Sequence, residues 1–216
     1  HVIKSYEIPK EVRTKFPEMD ESLPKVIREE LHEKIKELLV EQNDVDVHVV
    51  VKEGVTTETI VQYSQQNNIT LTLMGKKIGY KGHGGVVRRV LNITPSSVLL
   101  ISETAQPKMD HLLVRMDFTK MSAMAMKMAL KIQEQTKASI SCHHVHKLPL
   151  KYFTRSSVSD EKKLEKEIYN YTQKEFSKFI KKNKLAANDI PCTSDLDFEN
   201  EEAQILYSKA LTISAD

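Results

Sequence analysis

The chain has 216 residues, 40% hydrophobic and 29% charged, with 32 Lys and Arg against 30 Asp and Glu. The formal charge of +2 gives no electrostatic footprint for nucleic acid, and no apolar run approaches the roughly 20 residues of a bilayer span. Cys142 and Cys192 are the only cysteines, too few for a disulfide framework, which fits a reducing, cytoplasmic setting.

The chain opens in a strand-like run, His1-Val2-Ile3, with no initiator Met and no signal-peptide pattern, and so reads as a fragment. After Ser22-Leu23-Pro24, the residues Val26, Ile27, Leu31, Ile35, Leu38 and Leu39 keep helical spacing, predicting a helix over 23–42. Val45 to Val51 is short and β-branched, hence a strand. Gly54 turns the chain into a second helix, Thr57 to Gln66. Leu71 to Ile101 is the most informative stretch: an apolar run ending at Met74-Gly75, a loop with Gly79, Gly82, Gly84 and Gly85, a helix over 86–93, then Pro95 and a second apolar run, Val98 to Ile101. Strand, glycine loop, helix and strand make a βαβ crossover. Its glycines stand where backbone could approach a phosphate at a helix N-terminus.

Ser102 to Asp110, with Pro107, reads as a linker, giving domains 1–103 and 111–216 around residues 104–110. The pattern then restarts. Leu112 to Met116 is a buried strand ending in Asp117, and Ser122 to Lys137 a helix with Met124, Met128 and Ile132 on one core-facing stripe. Ile140 to Val145 is a strand and 160–185 a long charged helix carrying Leu164, Ile168, Tyr171, Phe176, Phe179 and Ile180. The halves overlay: His1-Val2 on His144-Val145, the helix at 23–42 on that at 160–185, and Ile60-Val61-Gln62-Tyr63-Ser64 on Gln204-Ile205-Leu206-Tyr207-Ser208. Two tandem copies of one α/β domain follow, the first lacking its opening strand and helix, the second its last strands and glycine loop.

Leu112-Leu113-Val114-Arg115-Met116-Asp117-Phe118-Thr119 resembles the first strand of the universal stress protein family with its V-D-x-S ending. Leu73-Met74-Gly75 resembles the strand ending L-I-V-M-G. Gly84-Gly85-Val86-Val87-Arg88-Arg89-Val90-Leu91 resembles G-S-V-S-E-R-V-L, and Pro95-Ser96-Ser97-Val98-Leu99-Leu100 resembles P-C-P-V-L-V. The resemblance covers nearly the whole chain. It implies an open, parallel, five-stranded Rossmann-like sheet with helices on both faces, and domains paired through their last strands. It also implies an adenine nucleotide, ATP or AMP, as cofactor, contacted by Met74, Gly75, Gly79, Gly82, Gly84, Gly85 and, in the second copy, Asp117.

ATP-binding members carry G-x2-G-x9-G-[ST]. Here Ile78 stands where the second glycine belongs, with Gly79 one position late. The loop to Gly84 is four residues shorter than the pattern, and Gly85 replaces the hydroxyl residue. Lys76, Lys77, Lys81 and Arg88 surround the glycines and offer cations instead. The alternative use of these glycines is to permit a tight βα loop. Asp117 has two readings as well, nucleotide contact or cap of the following helix.

Cys142, His144 and His146 share one strand face with His143 on the other, so zinc would need outside ligands, and packing histidines are the plainer reading. Gly79-Tyr80-Lys81-Gly82 matches the loop of KH domains, but it sits in a crossover. No nucleophile–base pair and no paired carboxylates at useful spacing support an enzyme. The expectation is a non-catalytic stress-response module with a degenerate nucleotide pocket. An ATP-binding switch is the alternative. A nucleotidyl-transfer enzyme on the same scaffold is less favoured, since only Gly82-His83-Gly84 suggests its H-x-G-H motif. Self-association is expected through the apolar edge Val98, Leu99, Leu100 and Ile101, with neither nucleic acid nor membrane as partner.

Overall fold

Two chain units, His1–Ala105 and Gln106–Asp216, are each built from parallel strands joined by helices. The computed structural model describes residues 1–4, 9–16, 22–39, 46–76, 85–106, 108–148, 158–187 and 189–216.

The first unit runs β1 (Val2–Ile3), α1 (Lys10–Arg13), α2 (Leu23–Leu38), β2 (Lys52–Glu53), α3 (Thr56–Gln66), β3 (Leu71–Lys76), α4 (Gly85–Ile93) and β4 (Ser97–Ser102). Ser22 holds an extended backbone before α2 and Pro24 lies in its first turn, where a missing amide proton costs nothing. The strand expected over Val45 to Val51 is corrected. Residues 46–51 form no regular element and residues 40–45 lie outside the described part, so the strand is only Lys52–Glu53. Its partner β1 offers just Val2 and Ile3, which limits the ladder to Val2↔Lys52 and Ile3↔Glu53. Gly54 leaves β2 at φ +144°, with Thr59 Oγ1 only 2.8 Å from where a Cβ would sit, so this turn needs glycine.

The βαβ crossover is present as read. β3 and β4 are parallel over six residues, from Leu71↔Ser97 to Lys76↔Ser102. In place of one five-stranded sheet, the described residues form two separate pairs here, β1-β2 and β3-β4.

The second unit runs β5 (His111–Met116), α5 (Lys120–Thr136), β6 (Ser139–Lys147), α6 (Val158–Asn183), β7 (Cys192–Asp197) and α7 (Glu202–Thr212). Its sheet is parallel, ordered β5-β6-β7. The succession β6, α6, β7, α7 repeats β1, α2, β2, α3 of the first unit, and α3 and α7 both have 11 residues. Alternation sends Val114, Met116, Ile140, Cys142 and Cys192 into one core with Ala123, Met126 and Ala129 of α5 and Phe176, Phe179 and Ile180 of α6. Arg115 and His143 point to the face carrying α7.

The methionine stripe is corrected. Met121, Met124 and Met128 are 69%, 60% and 44% exposed, while Met116 and Met126 are fully buried. α5 turns its Ser122-Ala123-Met126-Ala129 face inward because small side chains let the helix approach the sheet closely, leaving one long side chain to fill the gap. Tyr171 of α6 is likewise exposed.

Candidate functional site

In the first unit, Met74 and Gly75 lie near the carboxyl end of β3, paired with Leu100 and Ile101 of β4. Gly85 is the first residue of α4. Gly79, Gly82 and Gly84 lie outside the described residues. Among the described residues, a Cβ built on Gly75 or Gly85 meets nothing within 4 Å, so packing among them does not require either glycine. The opening turn of α4, Gly85-Val86-Val87, carries no acidic side chain and no hydroxyl. The first turn thus supplies no negative side chain of its own at the positive end of the helix, an arrangement that favours an anion.

In the second unit, Asp117 follows β5 directly and its carboxylate is engaged on both oxygens. Oδ1 accepts from the Thr119 amide at 3.0 Å and the Thr119 hydroxyl at 2.6 Å, and also from the Ser122 hydroxyl. Oδ2 faces Arg115 Nη1 at 3.2 Å. Burial works against ionisation, but the Ser122 and Thr119 hydrogen bonds and the Arg115 charge prevail and hold this carboxyl well below its usual range. Thr119 caps α5, accepting from the Met121 amide at 3.2 Å. Phe118, between the two, adopts φ 59°, a left-handed backbone uncommon outside glycine. That turn puts its ring 4.9 Å from His144 and 5.9 Å from Phe179. In this arrangement Asp117 anchors the β5–α5 turn.

The network runs on to residues that the motifs did not single out. Arg115 Nε donates to Glu202 Oε1, and Lys147 Nζ lies 3.0 Å from Glu202 Oε2. Asp197 Oδ1 accepts from the Glu199 and Glu201 amides at 3.1 and 3.0 Å, fixing the turn into α7 and lowering the Asp197 carboxyl. The sequence held a signal for part of this: Arg115 is a lone charge inside the buried strand Leu112–Met116, and such a residue needs a partner.

The histidines of β6 are packed and hydrogen-bonded. His143 is fully buried with Nδ1 2.7 Å from Thr193 Oγ1; burial pushes its imidazolium down, against the opposite pull of Asp195. His144 Nδ1 lies 2.6 Å from the Met116 carbonyl. His146 Nε2 lies 2.8 Å from Thr172 Oγ1. Thr172 donates its own proton to Ile168 O, so His146 is the donor in that pair. Among the described residues, no three His, Cys, Asp or Glu side chains converge on a point where a metal ion would sit, and no helix is long and apolar enough to cross a membrane.

Comparison with solved structures gives the same fold. A candidate universal stress protein from Pseudomonas aeruginosa UCBPP-PA14 superposes with TM-score 0.58 at 14% identity, over 99% of this chain and 78% of that one. A functionally unknown protein from Pseudomonas aeruginosa PAO1 gives 0.58 at 13% identity, covering 99% and 67%. A universal stress protein from Archaeoglobus fulgidus DSM 4304 gives 0.53 at 18%, covering 99% and 70%. No curated protein matches the sequence. Residues 1–102 match the universal stress protein family; that match covers the first unit, and the chain as a whole shares the Rossmann-like α/β fold of these solved structures.

Proposed function

We propose that the protein is a non-catalytic stress-response binding module whose nucleotide pocket, at the β3–α4 crossover, has lost its side-chain hold on phosphate. The observation that carries this reading is the start of α4 at Gly85-Val86-Val87. A phosphate there lacks the hydroxyl donor that Ser or Thr supplies at the position of Gly85. In the second unit Asp117 is held by Ser122, Thr119 and Arg115, which supports a structural role and leaves little to offer a nucleotide. We place the protein in the cytoplasm, a setting supported by two buried free thiols, Cys142 and Cys192, in register on neighbouring strands. Self-association would run through the free edge of β4.

The second reading, an ATP-binding switch, is favoured by the space beside Gly75 and Gly85 among the described residues and by a first turn of α4 that carries no acidic side chain. Titration calorimetry with Mg-ATP on the wild type and Gly85→Ser separates the two. Room exists for the new side chain, so the degenerate pocket should bind weakly and Gly85→Ser should tighten it. Micromolar binding by the wild type, about −8 kcal/mol, unchanged by Gly85→Ser, would establish the switch instead.

A further inference from the structure

Three sulfur side chains meet in the core of the second unit, one each from α5, β6 and β7. Cys142 and Cys192 are register partners on neighbouring parallel strands, so both side chains leave the sheet on one face. That face packs against α5 and α6, and there the Cys142 thiol donates to Met126 Sδ at 3.8 Å. Met126 and Cys142 are fully buried, and Cys192 is 4% exposed. The backbone beneath the cysteines is held as well. The Cys142 amide donates to Pro191 O at 2.8 Å, and Gln173 Nε2 donates to Cys192 O at 2.6 Å.

Both thiols are free. Burial, with Cys192 adding to it, pushes the Cys142 thiol up to about 12, and burial does the same at Cys192. Both therefore keep their protons at neutral pH, which makes them poor nucleophiles. A metal ion, by contrast, displaces such protons when it binds. Sulfur ligands alone select a soft ion. Two sulfurs bonded to one ion at about 2.3 Å stand about 4 Å apart in a trigonal arrangement, and the 3.8 Å between Cys142 and Met126 matches it. Neighbouring strands lie about 4.8 Å apart, which keeps the Cys142–Cys192 edge of the triangle in the same range. Zinc in a structural site takes four ligands, and among the described residues no third His, Cys, Asp or Glu joins the pair. Two thiolates and one thioether suit a monovalent ion of low coordination number.

We propose that Met126, Cys142 and Cys192 form a three-coordinate copper(I) site. Binding replaces two S–H bonds with two S–Cu bonds and releases two protons to solvent. The Met126 thioether shares a lone pair without changing charge, and no electron is transferred. The way in is a cavity of about 690 Å³ at the amino ends of the strands, walled by Ser139, Ile140, Ser141, Ala187 and Pro191 among others. Ser141 and Pro191 directly precede the two cysteines, and Ile140 and Ala187 belong to the same core cluster as the sulfurs.

The test titrates copper(I), kept reduced by ascorbate under argon, into the whole 216-residue chain against the chromogenic chelator bicinchoninate. One ion per chain is expected, with a raised thermal midpoint. X-ray absorption of the loaded wild type should show only sulfur neighbours, at about 2.3 Å, the length of a metal–thiolate bond. Cys192→Ala should weaken binding by about a hundredfold, and Met126→Leu, which keeps the side-chain volume, by about tenfold. Far-UV dichroism reports whether each variant is folded; if one is not, the X-ray absorption of the wild type decides alone. Nitrogen in the coordination shell, or no binding by the folded wild type, would overturn the proposal. So would binding that survives Cys192→Ala but is lost when the exposed Met121 and Met124 are replaced by Leu, since the ion would then sit on the surface of α5.

Discussion

His144 and His146 stand on one face of β6 with ring centroids 4.1 Å apart, edge to face. Burial first, and the charge of His144 second, push the His146 imidazolium down to about 4. An unfolded histidine titrates near ~6.5, so between these values the unfolded chain binds a proton that the fold rejects. Stability is therefore complete above about pH 6.5 and falls as pH drops toward about 4, by roughly 3 kcal/mol at most. Urea midpoints at about pH 7 and about pH 5 should differ in the wild type and differ less in His146→Gln, where the buried His143 keeps its own share of the pH dependence. A wild-type midpoint that does not move over this range would refute the prediction.

Asp117 should behave in the opposite sense. Its carboxyl is held low by Ser122, Thr119 and Arg115, so its contribution is present above the unfolded value near ~4 and is lost as pH falls below it. Asp117→Asn keeps the shape but loses the charge, and should cost about 2 kcal/mol at neutral pH. Ser122→Ala, removing one of the donors, should cost less. Chemical denaturation of both variants decides the matter, and equal stability of Asp117→Asn and wild type would count against the anchoring role.

Two methionines on one helix give a contrast that composition cannot. Met126 is fully buried, whereas Met128 is 44% exposed. Met126→Ala should lower stability by about 2–4 kcal/mol, and Met128→Ala by less than about 0.5 kcal/mol. Thermal melts of the pair measure it, and comparable losses would mean that α5 is rotated from the orientation described.

Self-association through β4 makes the fourth prediction. Leu99, Leu100 and Ile101 are 38%, 36% and 44% exposed on a strand that pairs only with β3 among the described residues. An apolar free edge of this kind recruits another strand unless a charge interrupts it. Sedimentation of the wild type should therefore show a larger species that Leu99→Lys reduces to monomer. A wild type already monomeric at all concentrations would exclude this edge as the contact.

What the sequence disclosed followed from how strongly one local pattern dominated. The crossover at 71–101 was legible because apolar runs, glycines and Pro95 all pointed to the same elements, and β3, α4 and β4 occupy those places. The face of α5 was not legible. Met121, Met124, Met126 and Met128 fit two stripes equally, and the small residues Ser122 and Ala123 decided between them by allowing close approach to the sheet. Val45 to Val51 has strand composition, but a strand also needs a partner edge, and β1 supplies only two residues of it. β7 went unnoticed because Cys192-Thr193-Ser194-Asp195-Leu196-Asp197 is polar along most of its length; its partner β6 and the helix α6 make it a strand. At the site, Asp117 was visible as an acid ending a strand, whereas its link through Arg115 to Glu202 and Lys147 joins residues far apart in the chain and appears only in the fold.

The last residue of the chain is tied to the first strand of its own unit. Asp216 donates its amide to the His111 carbonyl at 3.0 Å and accepts the His111 amide on its carboxylate at 3.0 Å, so residues 111 and 216 lie side by side. This contact couples the segment after α7 to the start of β5, so the two should open together rather than singly when amide exchange is followed at His111 and Asp216.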